Sequence, residues 1–531
     1  MSAREQAKSA AVPTEVRRPR QLNLIGRESS ELVIAFSGAI GSGLDQVIEQ
    51  TRELLKSAGY KVELLKLSSF IEKLGREVGF IKPEEKITAN TPSRYEILQT
   101  AGNQLREKYS NQVLAKLAIS KIASFRTEAI PANTDPRQVT PEKVAFLVDQ
   151  LKNPAEVELL RKVYGNLFYL IGVFASEEQR RRNLMTSMHS QEAERAMDRD
   201  RREEEDHEQQ LDKSLKLSDL FVRNTDENRA STKRQIQRLL ELIHGSITST
   251  PTAEEYAMYA AYAAALRSAC MSRQVGAAIT DEHGNILSTG CNDVPKSNGG
   301  LYTAADTERD WRCYNWKGGE CWNDRHKDNI REEIATTLES ADVKKILERE
   351  ITQSESARIS ALISRNTRLR DLLEFSRAVH AEMDAIIAIA RKGGPPLARG
   401  KLFTTTFPCH NCARHIVAAG ITTVYYIEPY EKSLALTLHS DSIVGDPSDH
   451  EGVGSKVRFL HFEGIAPRQY QRLFTPETER KEHGKLRSWS YQDAKKSNPQ
   501  YLDSYRDLET RVIEDLESRG LSAEQLSKVV S

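Results

Sequence analysis

The chain alternates short apolar runs with longer stretches of helical periodicity, the pattern of a parallel α/β sheet. Leu32-Val33-Ile34-Ala35-Phe36 predicts a buried strand that runs into a glycine-rich turn. Apolar runs at 62–67, 144–148, 167–173 and 220–222 predict its partner strands. Between two of them, 177–210 is dense in charge but helix-forming in composition, so exposed helices are expected there. The Ser/Thr/Pro stretch 246–253 reads as a linker. An Ala/Tyr-rich helix from Glu254 to about Cys270 follows, then apolar 275–279, the turn His283-Gly284-Asn285 and apolar 286–287, a helix leading into a hairpin. After an insertion at about 295–377 come a helix from about Val379, a strand at 402–406, a helix at about 410–419 and a strand at 422–427. The predicted organisation is an N-terminal extension (1–30), a first domain (31–245), the linker, a second α/β domain (254–475) and a helical tail (476–531).

Charge narrows the function classes. Lys plus Arg and Asp plus Glu both total 76 in 531 residues, which argues against a protein that coats nucleic acid by bulk electrostatics. No stretch approaches the roughly 18 apolar residues of a membrane span, and the first 30 residues hold no apolar signal core. A cytoplasmic chain without membrane contact is expected. Six cysteines are too few for a disulfide scaffold at this length, so reduced thiols are expected.

Two of those cysteines form Cys409-His410-Asn411-Cys412 after Pro408. At a helix start this spacing puts both thiolates on one face, within reach of one zinc ion. His380-Ala381-Glu382 stands upstream at a predicted helix start, and the order His-x-Glu, strand, Pro-Cys-x-x-Cys is the zinc-deaminase signature. His461-Phe462-Glu463 is a second His-x-Glu with no cysteine pair downstream, so order and context decide between them. His380, Cys409 and Cys412 as ligands leave one tetrahedral position for water, and Glu382, off the metal, is the expected proton carrier. A structural zinc knuckle or a redox Cys-x-x-Cys would have no need of Glu382. The insertion holds Trp311, Trp316, Trp322, Cys313, Cys321 and His326. A second, structural zinc is one reading of it, and packed aromatics with reduced thiols the favoured one.

In the first domain Gly38-Ala39-Ile40-Gly41-Ser42-Gly43-Leu44-Asp45 lies between strand and helix, the context of a phosphate-binding P-loop. Leu44 and Asp45 stand where a working loop has Lys and Ser/Thr, so kinase chemistry is not expected. Gly38, Gly41, Ser42 and Gly43 remain candidates for binding a regulatory nucleotide through backbone N–H groups, with a structural relic as the equal alternative. Lys432 follows the last clear strand, where α/β folds place ligand loops, and is a phosphate candidate, an exposed loop lysine fitting equally well.

Residues from about 254 to 475 resemble the cytidine/deoxycytidylate deaminase family, especially its nucleotide-acting branch. Arg267-Ser268-Ala269-Cys270-Met271-Ser272-Arg273-Gln274-Val275-Gly276-Ala277 resembles its helix-to-strand passage, and Gly290-Cys291-Asn292-Asp293-Val294-Pro295 its asparagine loop. The resemblance implies an α/β/α domain with one catalytic Zn²⁺, and substrate contacts from Arg273, Asn292 and Asp384. Asp384 stands where many relatives have Asn. The first domain resembles deoxynucleoside monophosphate kinase-like P-loop proteins through Arg94, Gln99, Gly102 and Arg106, through Arg180-Arg181-Arg182 and through Asp149 at a strand end. Such a fusion is similar to the bacterial antiphage dCTP/dCMP deaminases. That similarity implies conversion of free dCTP and dCMP to dUTP and dUMP, depletion of a DNA precursor, and an inhibitory small RNA as partner. A homo-oligomer is expected. The rival classes are a deaminase of single-stranded DNA or RNA, which would want a basic channel, and a non-enzymatic nucleotide sensor or RNA-binding toxin.

Overall fold

The computed structural model describes residues 28–530 except 86, 88–93, 130–141, 187, 203–208, 226–227, 373, 431–432, 446–455, 477, 491–495 and 497–499. Five parallel strands, β1 (Leu32–Gly38), β2 (Lys61–Lys66), β3 (Val144–Asp149), β4 (Phe168–Phe174) and β5 (Leu220–Arg223), build the first sheet in the order β5-β4-β1-β3-β2. The central strand β1 is buried along its whole length because helices cover both faces. Its alternate residues feed two cores, Val33 and Ala35 on one side, Leu32, Ile34 and Phe36 on the other.

The second sheet holds β6 (Gly276–Thr280), β7 (Ile286–Cys291), β8 (Lys401–Thr406), β9 (Thr423–Glu428), β10 (Ile443–Val444) and β11 (Val457–His461), in the order β10-β11-β9-β8-β6-β7. The β6–β7 hairpin and the β6–β8 pair are antiparallel, and the remaining pairs parallel. Both predicted sheets are therefore present. The charged stretch folds as the helices Glu177–Met185 and Ser190–Arg202, as expected, but each buries apolar residues. Leu184, Ala193 and Met197 form a small core with Ile40 of the glycine loop.

The two halves interleave. A short strand β12 (Gly464–Ile465), next after β11, leaves the second sheet and pairs antiparallel with β5 of the first. Asp219, fully buried at this junction, accepts from Arg161 at 2.9 Å, Arg468 at 2.8 Å and the Leu170 amide at 2.7 Å. Burial opposes its ionisation, but the two guanidiniums prevail and hold its carboxyl well below the ordinary range. His461, the unused His-x-Glu histidine, is buried here and stacked 3.4 Å from Phe174. The helices Leu502–Ser518 and Ala523–Val530 return to the first half, where Tyr505, Leu516 and Val529 enter its core. Arg126 there binds Glu31 at 2.7 Å and Glu509 at 2.8 Å.

Candidate metal centre and its cavity

His380 stands at the N-cap position of the helix Ala381–Lys392, and Cys409 at that of the helix His410–Ala418. Two helix N-termini, with their partial positive charge, thus face one point, a setting that favours thiolate. Nδ1 of His380 lies 3.3 Å from the sulfur of Cys409 and 3.3 Å from that of Cys412. Donors held about 2.0–2.3 Å from one tetrahedral ion sit roughly 3.5 Å apart, so the trio fits zinc. Among the described residues it is the one His/Cys/Asp/Glu group whose donor atoms are mutually close enough for a metal. Proton sharing within it is strong. Hydrogen bonding to Cys412 and His380, against burial, draws the Cys409 thiol down to about 4, while its bond to Cys409 pushes Cys412 well up. The bond to the Cys409 sulfur raises His380 to about 9 against burial.

Glu382 is the second residue of its helix, buried, with Oε2 3.5 Å from the Cys412 sulfur. Burial raises its carboxyl above the ordinary range. Close packing of β7 positions this helix. A Cβ on Gly290 would lie 2.3 Å from the Ala381 carbonyl oxygen and 2.5 Å from the Ala385 nitrogen, so only glycine lets strand and helix approach this far.

A cavity of 230 Å³ opens beside the trio, lined by His380, Glu382 and Cys409 together with Arg273, Asn292 and Tyr430. Arg273 is exposed at its rim. Asn292 is buried and staples the loop that carries Arg273: its Oδ1 accepts from the Val275 amide at 2.7 Å and its Nδ2 donates to the Arg273 carbonyl at 2.8 Å. Asp384 accepts from the Cys291 amide at 3.2 Å and is not among the lining residues. Lys432 lies outside the described residues. The insertion, which the sequence marked only for a structural zinc or packed aromatics, contributes wall, with Cys313, Cys321, Trp322 and Asn323 all lining the cavity. Its aromatics pack together, Trp311 against Trp316 at 5.3 Å and His326 against Phe375 at 4.9 Å, and Cys313 and Cys321 are free thiols.

Residues 251–428 match the family model for the cytidine and deoxycytidylate deaminase zinc-binding region. They form a deaminase domain of that family. ComE operon protein 2 of Bacillus subtilis (strain 168) is 43% identical over 56 residues, 10% of this chain and 29% of that protein. The chain thus spans less than a third of that relative's length. Deoxycytidylate deaminase of Enterobacteria phage T2 is 28% identical over 177 residues, 33% of this chain and 78% of the relative. A crystal structure of dCMP deaminase from the cyanophage S-TIM5 with dCMP and dUMP shares 19% identity across 40% of this chain and 100% of that one, with a TM-score of 0.23.

Outside the deaminase domain, a second cavity of 530 Å³ lies at the carboxyl ends of β1, β2 and β3. Gly41, Ser42 and Gly43 line it with Lys66, Arg94, Gln99, Arg106, Asp149 and Lys152, whereas Gly38, at the end of β1, lies behind them. The loop backbone is held from outside: Asn224 Nδ2 donates to the Ser42 and Gly43 carbonyls, both at 3.0 Å, Asn183 to Gly41 at 2.8 Å and Arg180 to Ile40 at 2.8 Å. Gly43 has φ +72°, and a Cβ there would meet Asn224 Nδ2 at 2.2 Å. Asp149 is pushed up to about 6 by burial and by the Asp45 carboxylate, against Lys66, Arg94 and Lys152. Among the described residues, neither amide atom of buried Gln99 has a hydrogen-bond partner. Gly102 serves packing instead, its α-carbon facing Ile71.

Proposed function

We propose that this protein is a zinc-dependent hydrolytic deaminase of free deoxycytidine nucleotides, taking dCTP, dCMP or both to dUTP and dUMP with release of ammonia. The observation that carries the reading is the His380–Cys409–Cys412 trio with buried Glu382 beside it, at the wall of one cavity in a deaminase domain. Bound by those three residues, a zinc ion supplies the Lewis acidity that makes water nucleophilic near neutral pH. The chain's own part is proton handling and orientation. Glu382, kept protonatable by burial, takes one proton of the attacking water and delivers it to ring N3 of cytosine, then takes the second from the hydroxyl added at C4 and passes it to the amine, which leaves as ammonia while the C4 carbonyl forms. Asn292 holds the loop at the cavity's edge, next to the sugar, and Arg273 meets the phosphate. A 230 Å³ cavity suits one cytosine ring and its sugar, with the phosphates at the rim.

The test compares the intact protein with Glu382→Gln on dCTP, dCMP, CTP, deoxycytidine and single-stranded DNA, reading uracil products and bound zinc. Equal zinc in both forms and a roughly 10²–10⁴-fold lower rate on free nucleotides in the variant are expected. Uracil formed only in DNA would overturn the choice of substrate.

The glycine-loop cavity is proposed as a regulatory nucleotide site, supported by Lys66 and Arg94 on its wall and by the amide of Gln99, which has no partner among the described residues. Gly43→Val, which drives a side chain into Asn224, should abolish nucleotide binding measured by equilibrium dialysis while zinc content stays the same. Depletion of dCTP as a defence against phage, with release from a small inhibitory RNA, completes the proposal. It predicts that Glu382→Gln loses protection in a plaque assay.

A further inference from the structure

Arg273 does not stand alone at the cavity rim. Its Nη1 lies 3.7 Å from Oε1 of Glu428, and its guanidinium lies 5.6 Å from the ring centre of Tyr430. Glu428 ends β9, and its backbone carbonyl accepts from the amide of Phe407, another cavity residue, at 2.8 Å. The same Oε1 lies 3.7 Å from Nζ of Lys216, which belongs to the first half of the molecule. One carboxylate is therefore shared between a cation of the deaminase pocket and a cation from the other half.

Lys216 in turn is tied to the glycine-loop cavity. It follows the helix Leu211–Leu215, and Gln209, two residues before that helix, lines the cavity. The Gln210 amide donates to the Lys152 carbonyl at 2.9 Å, and Lys152 Nζ binds Asp200 at 2.7 Å. Asp200 accepts from the Ile40 amide, inside the glycine loop, at 2.8 Å. Residues 209–216 thus run from the wall of one cavity to the carboxylate that pairs with Arg273 of the other.

We infer that Glu428 is a positioning residue for Arg273, and that the segment 209–216 ties this placement to occupancy of the glycine-loop cavity by an anionic, phosphate-bearing ligand. The inference rests on the proposed contact of Arg273 with a nucleotide phosphate. Arg273 is half exposed, with many rotamers open to it, and Glu428 and Tyr430 narrow them before substrate arrives. A ligand that draws on Lys152 or shifts Gln209 moves Lys216 relative to Glu428. That changes how much of the carboxylate's field Arg273 receives. Linkage makes the effect reciprocal: each cavity reports the occupancy of the other. The ion pairs are exposed and weak, so the effects are of the order of two- to fivefold.

The test uses the full chain, with steady-state deamination of dCMP and dCTP, deoxycytidine as phosphate-free control and ADP as the ligand for the glycine-loop cavity. Glu428→Gln should raise KM for both nucleotides about two- to fivefold with kcat unchanged, leave deoxycytidine untouched, and be partly rescued by Glu428→Asp. On an Arg273→Ala background it should add nothing. ADP should change KM for dCMP in the wild type and not in Lys216→Ala. Equal damage to deoxycytidine turnover, or additivity with Arg273→Ala, overturns the positioning role. An ADP response that survives Lys216→Ala, or none in the wild type, overturns the link. If the zinc-loaded wild type turns over no free nucleotide, the proposed function fails instead. The same variants then read the inference as dCMP affinity by calorimetry, and wild-type protein that binds no dCMP sinks both.

Discussion

Replacing Asp219 by Asn removes one charge from the most heavily used carboxylate at the junction of the two halves. The side chain is fully buried, with Arg161, Arg468 and the Leu170 amide on its two oxygens. Asparagine keeps the shape and can accept one of these bonds, but it leaves two guanidiniums facing a neutral group. Breaking a buried ion pair from one side costs about 3–5 kcal/mol. Here Arg161 and Arg468 keep 28% and 24% of their side chains in solvent and recover part of their hydration, so a cost of about 2–3 kcal/mol is expected. At roughly 2–4 °C per kcal/mol for a domain of ordinary size, the melting temperature should fall by about 4–12 °C. The pH dependence carries a sign. Because the folded carboxyl is held below its ordinary value, this stability is complete above about pH 4 and fades only as pH falls further, through the folded value. Scanning calorimetry of the whole chain at about pH 7 and about pH 5 should therefore show the same gap between wild type and variant. A gap below about 1 °C at neutral pH, or one that already closes at about pH 5, would refute the reasoning.

Two further outcomes follow from the cavities. Asp149 is raised to about 6, so its ionisation works against the fold: its stability contribution is full below about pH 4 and is lost as pH rises through about 6. Asp149→Asn should accordingly be more stable than wild type by up to about 3 kcal/mol near pH 7.5 and equal to it near pH 4, measured by urea unfolding. Gly290→Ala must push β7 away from the helix that carries Glu382. A loss of about 1–3 kcal/mol together with weaker zinc retention against a chelator is expected, and unchanged retention would show that this approach does not position the site.

Both sheets and the ligand trio were legible in the sequence because each carries a local signal, whether a run of β-branched residues or a Cys-x-x-Cys at a helix start. What the sequence hid depends on contacts between distant segments. Nothing periodic around Gly464 announces that two residues will join another sheet, and the polar surface of 502–530 conceals the spacing of Tyr505, Leu516 and Val529. Asn292 was legible as a site residue, but its bonds run to the backbone of its own loop, a role no composition reveals. Glu428 looked like the end of a strand. Its weight comes from Lys216, more than two hundred residues upstream, and only the fold brings them together.

The return of the helices over 502–530 has a consequence for how the molecule is made. Arg126 meets Glu509 across 383 residues of chain, and Lys116 meets Asp515 across 399. A ribosome therefore releases the deaminase domain, whose metal-site core lies within residues 277–459, before the first sheet has received all of its covering helices. The half that begins first closes last, and until then its unfilled face is bare apolar surface. A stop codon just past the deaminase domain would leave the metal site's own residues intact and strand the glycine-loop half as an aggregation-prone intermediate.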